Sequence, residues 1–292
     1  MALRLGPHLI SLTDQLRFQP VTKRVRATLE AQPVLDTTDA ALVWEPGRVV
    51  PMYAVPAASL AARLSPCPTP VRPDDPPAVL GPEDFGRHRL PGTSFTVEVA
   101  GRSFEAAAFR PEDPDLGGRI IVEWAPFEWT EEAQPVVGHP HDPFKRLDFL
   151  VADRHVVVRL GTRVLADTRR AVAVYETHLP TRWYLPADDV VTGLLTPSAT
   201  TTTCAYKGVA SYFSVARARV VDTQDDENVA GLDSGPAVDG ADVAWTYRDP
   251  LPEAAAIKDH VCFYAERTDL CVDGVDQLRP TTLWSRPAPP TS

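Results

Sequence analysis

The sequence predicts a mainly β protein made of two homologous domains that follow each other along the chain. Short runs of β-branched and aromatic residues predict strands, and a set of residues recurs at a constant offset. Proline accounts for 30 of the 292 residues. This is about twice the usual share, and it favours many loops and short elements over long helices.

The repeat is clearest between residues 24–45 and 155–176, where identical residues lie 131 positions apart. The matched pairs are Leu29 with Leu160, Asp36 with Asp167, Thr37 with Thr168, and Glu45 with Glu176. A second set of matches lies at an offset of 121 and aligns Trp124 with Trp245 and His139 with His260. The pattern predicts an N-terminal arm over residues 1–20, repeats over 21–150 and 151–276, and a tail over 277–292.

Within the repeats, the sequence indicates strands, a hairpin, a short helix and two long loops. The stretch "HVVVRLGTRVLADT" has two β-rich runs around Gly161, which is typical of a hairpin. "LPEAAAIKDH" (251–260) begins with a proline followed by helix formers and predicts a short helix. Segment 65–92 is rich in proline, and segment 222–241 is acidic and rich in glycine, so both are expected to be surface loops.

Charge and composition limit the classes of partner. The formal net charge is −10, which disfavours nucleic acid because its phosphates are also negative. No stretch has the roughly 18 apolar residues of a membrane span, and the N-terminus does not resemble a secretory signal. We therefore expect a cytoplasmic protein with no membrane partner, whose four widely spaced cysteines are free thiols. The oligomeric state is not predicted.

The second repeat contains a characteristic series of motifs, in the order "VLADTRRAVAVYE", "RWYLPADDV", "CAYKGVASYFSV", "VAWTYRDPLPEAAAI" and "VCFYAERTDLCVDG". In these motifs it resembles a known family, the domain of unknown function 427. The first repeat is similar to the same family more loosely, as in the tandem version found in actinobacterial-type proteins. The resemblance implies two small β-tent-like domains, each with a short helix. Relatives of that fold often use paired C-x-x-C zinc clips, which are absent here, so neither zinc nor another cofactor is expected.

A candidate site lies in "ATTTTCAYKG" (199–208), where a threonine-rich strand runs into an aromatic, a lysine and a glycine. The first repeat has a glycine at the matched place, Gly92, but lacks the tyrosine and the lysine. This asymmetry makes Lys207 and Tyr206 the candidate catalytic residues: burial can depress a lysine pKa, and a phenol can donate to an oxyanion. A carboxylate such as Glu176 near Lys207 would form an acid–base pair. A solvated strand-end lysine is the alternative.

Four aromatic residues of the second repeat are candidate ligand-binding groups, namely Tyr184, Tyr212, Trp245 and Tyr247. Trp245 and Tyr247 are two residues apart and therefore share one face of a strand. Rings with polar tips can line a small-molecule pocket, and they can equally form an ordinary core.

Two other residue sets allow further alternatives. Cys204 could act as a nucleophile with His260 as its base, although buried free cysteines are common. "GHPHD" (138–142) could hold a metal, but a proline turn explains it as well, and no metal site is predicted.

The functional prediction is a small-molecule-binding protein or enzyme with one pocket in the second repeat. The alternative is a non-catalytic module that binds a ligand or a protein. The sequence does not predict the ligand or the reaction type.

Overall fold

The computed structural model describes residues 2–69, 77–215 and 240–283, and it divides the chain into two units. Unit 1 comprises residues 1–145 with 282–292, and unit 2 comprises residues 146–281. The described part contains a single α-helix, α1 (Leu5–Ser11), which lies in the predicted N-terminal arm. Almost all the remaining regular structure is antiparallel strand, so the predicted mainly β fold is confirmed.

Unit 1 contains eleven of the described strands, arranged in two antiparallel sheets. The seven-stranded sheet has the order β1-β4-β5-β9-β8-β7-β6, and the four-stranded sheet has the order β11-β10-β2-β3. The bounds are β1 Arg17–Val21, β2 Val25–Leu29, β3 Gln32–Thr37, β4 Ala40–Trp44, β5 Met52–Val55, β6 Arg63–Cys67, β7 Gly92–Val99, β8 Arg102–Pro111, β9 Ile120–Val122, β10 Glu128–Glu131 and β11 Gln134–Val136. The 3₁₀ helices of this unit span Leu12–Asp14, Ala57–Ser59, Pro82–Asp84 and Pro114–Leu116.

Unit 2 contains a second pair of antiparallel sheets with the same strand order. The seven-stranded sheet runs β12-β15-β16-β20-β19-β18-β17, and the four-stranded sheet runs β14-β13-β21-β22. The bounds are β12 Leu147–Val151, β13 Val156–Leu160, β14 Arg163–Thr168, β15 Val172–Glu176, β16 Arg182–Pro186, β17 Leu195–Cys204, β18 Gly208–Val215, β19 Ala244–Thr246, β20 His260–Phe263, β21 Asp269–Val272 and β22 Val275–Asp276. Its 3₁₀ helices span Ala187–Asp189, Thr192–Leu194 and Pro252–Ile257.

Each seven-stranded sheet has two buried faces, because neighbouring side chains on a strand point in opposite directions. In unit 2, Ala173 and Leu185 point towards the four-stranded sheet and join the core cluster that includes Val156 and Leu165. Val174 and Tyr184, one residue along their strands, point the other way and form a second cluster. Unit 1 likewise has a main cluster between its sheets and a second cluster on the opposite face.

Local contacts recur between the units at the predicted offset of 131. Thr37 and Thr168 are both buried, and the hydroxyl oxygen of each accepts a hydrogen bond from the backbone N–H two residues later. The backbone N–H of Arg24 donates to Glu132, and that of His155 donates to Asp273. The first half of the sequence alignment therefore agrees with equivalent positions in the two sheet pairs.

The offset of 121 expected for the later strands is wrong. Trp124 follows β9, whereas Trp245 lies within β19, whose place in the sheet corresponds to β8. The strand ladders instead match Trp129, which pairs with Ala27, to Leu270, which pairs with Val158. The error arises because the hairpins and loops between the sheets differ in length, so no single offset holds through them.

Of two predicted local elements, the hairpin is found as expected and the short helix is found as a 3₁₀ helix. The hairpin around Gly161 is confirmed as β13 and β14, and Gly161 has a positive φ of 61°. The short helix expected at 251–260 is the 3₁₀ helix Pro252–Ile257, which has Pro252 at its first position.

The predicted loops had different outcomes. Segment 65–92 is not simply a surface loop, because it contains the end of β6 and buries Leu80 and Phe85. Most of segment 222–241 lies outside the described residues.

Candidate functional site

The stretch "ATTTTCAYKG" forms the end of β17, a tight turn and the first residue of β18. Cys204 is paired with Gly208 in the ladder, so the turn consists of residues 205–207. Gly208 has a φ of +93°, a conformation that side-chain-bearing residues rarely adopt. A Cβ at this position would itself make only an ordinary contact, 3.4 Å from the Asp249 carbonyl oxygen, so the constraint is the backbone conformation. The glycine is therefore required by the turn that places Lys207.

Lys207 is buried and paired with the carboxylate that ends β15. Its Nζ donates to Glu176 Oε2 at 2.5 Å, and the two side chains are only 9% and 5% exposed. Burial alone would lower the pKa of Lys207, but the neighbouring Glu176 carboxylate outweighs it, and the net pKa is raised. Lys207 is consequently an ammonium ion at neutral pH, and the depressed pKa expected for a basic or nucleophilic amine is not found.

The turn is also connected to the next helical element. The backbone N–H of Leu251 donates to the Lys207 carbonyl at 3.1 Å, immediately before the 3₁₀ helix that begins at Pro252. Ala254 and Ile257 of that helix pack into the same cluster as Tyr247. The backbone of Lys207 is thus held from two sides, while Tyr206 in the same turn is half-buried.

The four predicted ligand-binding aromatics lie together in the second cluster of unit 2. Tyr184, Tyr212, Trp245 and Tyr247 are all at most 9% exposed, and we call them, with the half-buried Tyr264, the aromatic face. Trp245 Nε1 donates to the Tyr184 hydroxyl at 3.1 Å, and their rings meet edge to face. The Tyr212 hydroxyl lies 3.1 Å from Thr202 Oγ1 and 3.4 Å from the Tyr264 hydroxyl.

Burial keeps the phenols of Tyr184, Tyr247 and Tyr264 protonated. It raises the pKa of Tyr184 and of Tyr264, and it raises the pKa of Tyr247, where the positions of Cys204, Tyr212 and Glu176 add to the rise. A protonated phenol can donate a hydrogen bond but cannot act as a base.

A second buried ion pair, which the sequence analysis missed, lies next to the Trp245 and Tyr264 rings of the aromatic face. Arg182 donates through both terminal nitrogens to Glu266, at 2.6 and 2.7 Å, and the guanidinium stands 5.6 Å from the Trp245 ring centroid and 5.5 Å from that of Tyr264. Burial opposes the charge, yet the hydrogen bonds to Glu266 leave the pKa of Arg182 raised. The feature of the sequence that could have indicated this ion pair is an arginine in the otherwise apolar strand "RWYLP".

The buried thiol of Cys262 lies close enough to the cations of both ion pairs to interact with each of them electrostatically. Burial raises its pKa to about 12, and the Arg182 and Lys207 cations act against that rise. The two cations and the aromatic face therefore belong to one region of unit 2. The alternative nucleophile Cys204 ends β17, whereas His260 begins β20, and β18 and β19 lie between these strands in the sheet. His260 Nδ1 instead lies 2.9 Å from the Lys258 carbonyl oxygen.

Metal binding finds no support in the residues described by the structure, which contain no cluster of three or more histidine, cysteine, aspartate or glutamate side chains that could hold an ion. In "GHPHD", His141 Nδ1 lies 3.0 Å from Glu131 Oε2, and His139 Nδ1 lies 2.8 Å from the Pro140 carbonyl. The four cysteines are free, as predicted.

Unit 1 has a counterpart of the buried carboxylate but gives it a different partner. Glu45 follows β4 as Glu176 ends β15, and its side chain is completely buried. His88 Nδ1 lies 3.0 Å from Glu45 Oε2, and the backbone N–H of Arg89 donates to Glu45 Oε1 at 3.0 Å. The proposed asymmetry is therefore smaller than the sequence indicated: unit 1 lacks the lysine but supplies an imidazole.

The glycines at the two places also have different roles. Gly208 is required for its positive φ, whereas a Cβ at Gly92 would lie 2.4 Å from the carbonyl oxygen of Arg110 on the next strand. The two glycines that the sequence comparison matched therefore meet different backbone requirements.

Fold and site together define unit 2 as an antiparallel β domain that contains a buried lysine–glutamate pair next to an aromatic face. Residues 148–274, nearly the whole unit, match the family model described as a domain of unknown function, DUF427. The match covers one unit, and no curated protein matches the chain. Within the described residues, the one α-helix is too short to cross a membrane.

Proposed function

We propose that unit 2 binds a small molecule that carries an oxygen acceptor, such as a carboxylate or a phosphate, with Lys207 as the anchoring cation. The proposal rests on the hydrogen bonds of this ammonium group. It has three N–H donors, and among the described residues it donates to Glu176 Oε2. Two donors therefore remain for a ligand, and burial strengthens the interaction because the dielectric is low there.

The aromatic face would supply the apolar part of the site. Ligand sites combine aromatic walls with a few fixed polar groups, and here the polar groups are held in place by the two buried ion pairs. The hydroxyl of Tyr247, which lies in the same cluster and stays protonated, is a second candidate donor to the ligand.

Binding agrees better with this geometry than proton abstraction does. A nucleophilic or basic lysine must lose its proton, and the Glu176 carboxylate opposes that loss. If unit 2 also catalyses a reaction, Lys207 would act as a fixed positive charge and Tyr206 as a hydrogen-bond donor to a developing oxyanion.

The proposal treats unit 1 and unit 2 as two copies of one domain, of which only unit 2 carries the ligand site. The identical strand order and the recurring contacts at an offset of 131 support this. It also assumes a cytoplasmic protein without membrane or nucleic-acid partners, which agrees with its net charge of −10.

Thermal denaturation with acetate and with inorganic phosphate, compared with chloride at equal ionic strength, tests the proposal. Either oxyanion should raise the melting temperature of the wild-type protein and have no such effect on K207M/E176M, in which both charges of the pair are replaced together. The matched control is K258M, because Lys258 is an exposed lysine of the same unit. If the double variant responds as the wild type does, Lys207 is not the anchor. If no oxyanion stabilises the wild type, and the purified protein retains no small molecule detectable by mass spectrometry, the ligand site itself is refuted.

A further inference from the structure

Segment 77–91 of unit 1 is held against the seven-stranded sheet by buried groups that the proposed function does not use. Leu80 is fully buried, and its backbone N–H donates to the Gly47 carbonyl at 2.9 Å. Phe85 stacks on Trp124 with ring centroids 6.3 Å apart. Arg48, also fully buried, donates through Nη2 to the Asp84 carbonyl at 3.1 Å and to the Arg87 carbonyl at 2.6 Å.

His88 lies at the end of this segment between two carboxylates of the sheet. Its Nδ1 is 3.0 Å from Glu45 Oε2, and its Nε2 is 3.3 Å from Glu123 Oε1. The second contact has an ion-pair distance but is not aligned as a hydrogen bond. The imidazole is 3% exposed and stacks flat on Phe109, with the centroids 3.8 Å apart.

The protonation state of His88 decides whether both carboxylates face a hydrogen-bond donor. A carboxylate can only accept, and an imidazole presents an N–H at both nitrogens only when it is protonated. Neutral His88 would therefore turn a lone pair towards either Glu45 or Glu123, inside a buried region. The charged form faces both carboxylates with donors.

The other charged groups around His88 do not replace it. Arg48 Nη2 is 3.6 Å from Glu45 Oε2, beyond hydrogen-bond distance. On the segment, Arg87 pairs with Asp84 at 3.0 Å. The Arg89 side chain donates to the carbonyls of residues 46, 77 and 78, so only its backbone N–H serves Glu45.

We propose that Glu45, His88 and Glu123 form a proton-dependent clamp that holds segment 77–91 on the sheet of unit 1 and releases it when His88 becomes neutral. Burial alone would lower the pKa of His88, but its contacts with Glu123 and Glu45 outweigh this and raise it. A group whose folded pKa is raised contributes its full stability below its unfolded pKa, which is about 6.5. That contribution is lost as the pH rises through the folded pKa, so the segment should loosen on the alkaline side.

The two arginines that flank His88 provide a direct measurement. Trypsin cleaves after Arg87 and Arg89 only when the segment leaves the sheet, and the cleavage rate of a peptide spanning residues 77–92 corrects for the pH dependence of the protease. Between the unfolded pKa of about 6.5 and the folded pKa, the corrected rate in the full chain should increase by about tenfold per pH unit, and it should level off above the folded pKa. In His88→Gln the corrected rate should be high and independent of pH. A wild-type rate that does not change with pH, or the same pH profile in His88→Gln, would overturn the clamp.

A second measurement on the wild-type protein remains decisive if His88→Gln does not fold. The His88 ring resonance, assigned through its contact with Phe109, should titrate with a midpoint above about 6.5. The backbone amides of segment 77–91 should shift with the same midpoint. A midpoint at or below that value, or segment amides that do not follow it, would refute the proposal.

Discussion

Replacing Lys207 by methionine tests how strongly the buried pair of unit 2 depends on both of its charges. The Nζ–Oε2 distance is 2.5 Å, and neither side chain is more than 9% exposed. Removing the ammonium group deprives the buried Glu176 carboxylate of the Lys207 charge, and breaking a buried pair in this way costs about 3–5 kcal/mol. Replacing both residues by methionine removes the carboxylate as well and should be nearly neutral.

The expected change is large enough for thermal unfolding. For a domain the size of unit 2, residues 146–281, a loss of 1 kcal/mol lowers the melting temperature by roughly 3 °C. Lys207→Met should therefore unfold roughly 10 °C below the wild type, and K207M/E176M within a few degrees of it. Near-ultraviolet circular dichroism of the full chain reports on the packing of Trp245 and its neighbours.

The comparison of single and double variants needs a control for the loss of a lysine charge elsewhere in unit 2. Lys258→Met changes an exposed lysine of the same unit and should leave the transition unchanged. Equal destabilisation of the single and the double variant would show that the cost comes from lost packing of the lysine side chain. A single variant as stable as the wild type would show that Glu176 is readily solvated or protonated, contrary to its burial.

Three further predictions concern other features of the two units. Gly208→Ala should lower the urea-unfolding free energy by about 1–2 kcal/mol because φ is +93°, whereas Gly193→Ala, at an open position with an ordinary φ, should change it little; equal effects would remove the conformational explanation. Burial opposes the charge of Glu131, but its hydrogen bonds, chiefly from His141, Lys23 and Tyr53, lower its pKa from 4.5 to about 2, so unit 1 should lose stability as the pH falls through that interval. Acid unfolding of Glu131→Gln that is as steep as that of the wild type would contradict this assignment. Native-state thiol titration should label the half-buried Cys204 well before Cys262, whose pKa of about 12 and full burial protect it; simultaneous labelling would show that the aromatic face opens readily.

The strands could be predicted from the sequence because their signals are local. Two runs of β-rich sequence identified β13 and β14, and Gly161 between them identified the turn of this hairpin. The shared face of Trp245 and Tyr247 followed from strand geometry alone. The contact of Glu176 with Lys207 was anticipated as a possibility, although 31 residues separate the two.

Other parts of the candidate site depend on contacts that no local pattern carries. Arg182 and Glu266 are 84 residues apart, and nothing in either neighbourhood indicates that they meet in a bidentate pair. His88 lies in a proline-rich stretch whose composition is typical of a loop, yet Leu80 and Phe85 bury that stretch against the sheet. The sequence also could not show whether the pKa of Lys207 is raised or lowered. Burial lowers this pKa and the Glu176 carboxylate raises it, and only the geometry of the pair decides which effect is larger.

The two strand-end carboxylates show which part of the site is common and which part varies. Glu45 and Glu176 occupy matching places at the end of β4 and β15, where Glu45 directly follows its strand and Glu176 is the last residue of its strand, and both side chains are buried. A buried carboxylate requires a cationic or hydrogen-bonding partner, so each unit must supply one. Unit 2 uses Lys207, an ammonium ion, whereas unit 1 uses His88, an imidazole whose charge depends on pH. The buried carboxylate is thus common to both units, and the choice of cation distinguishes the binding role that we propose for unit 2 from the proton-dependent clamp that we propose for unit 1.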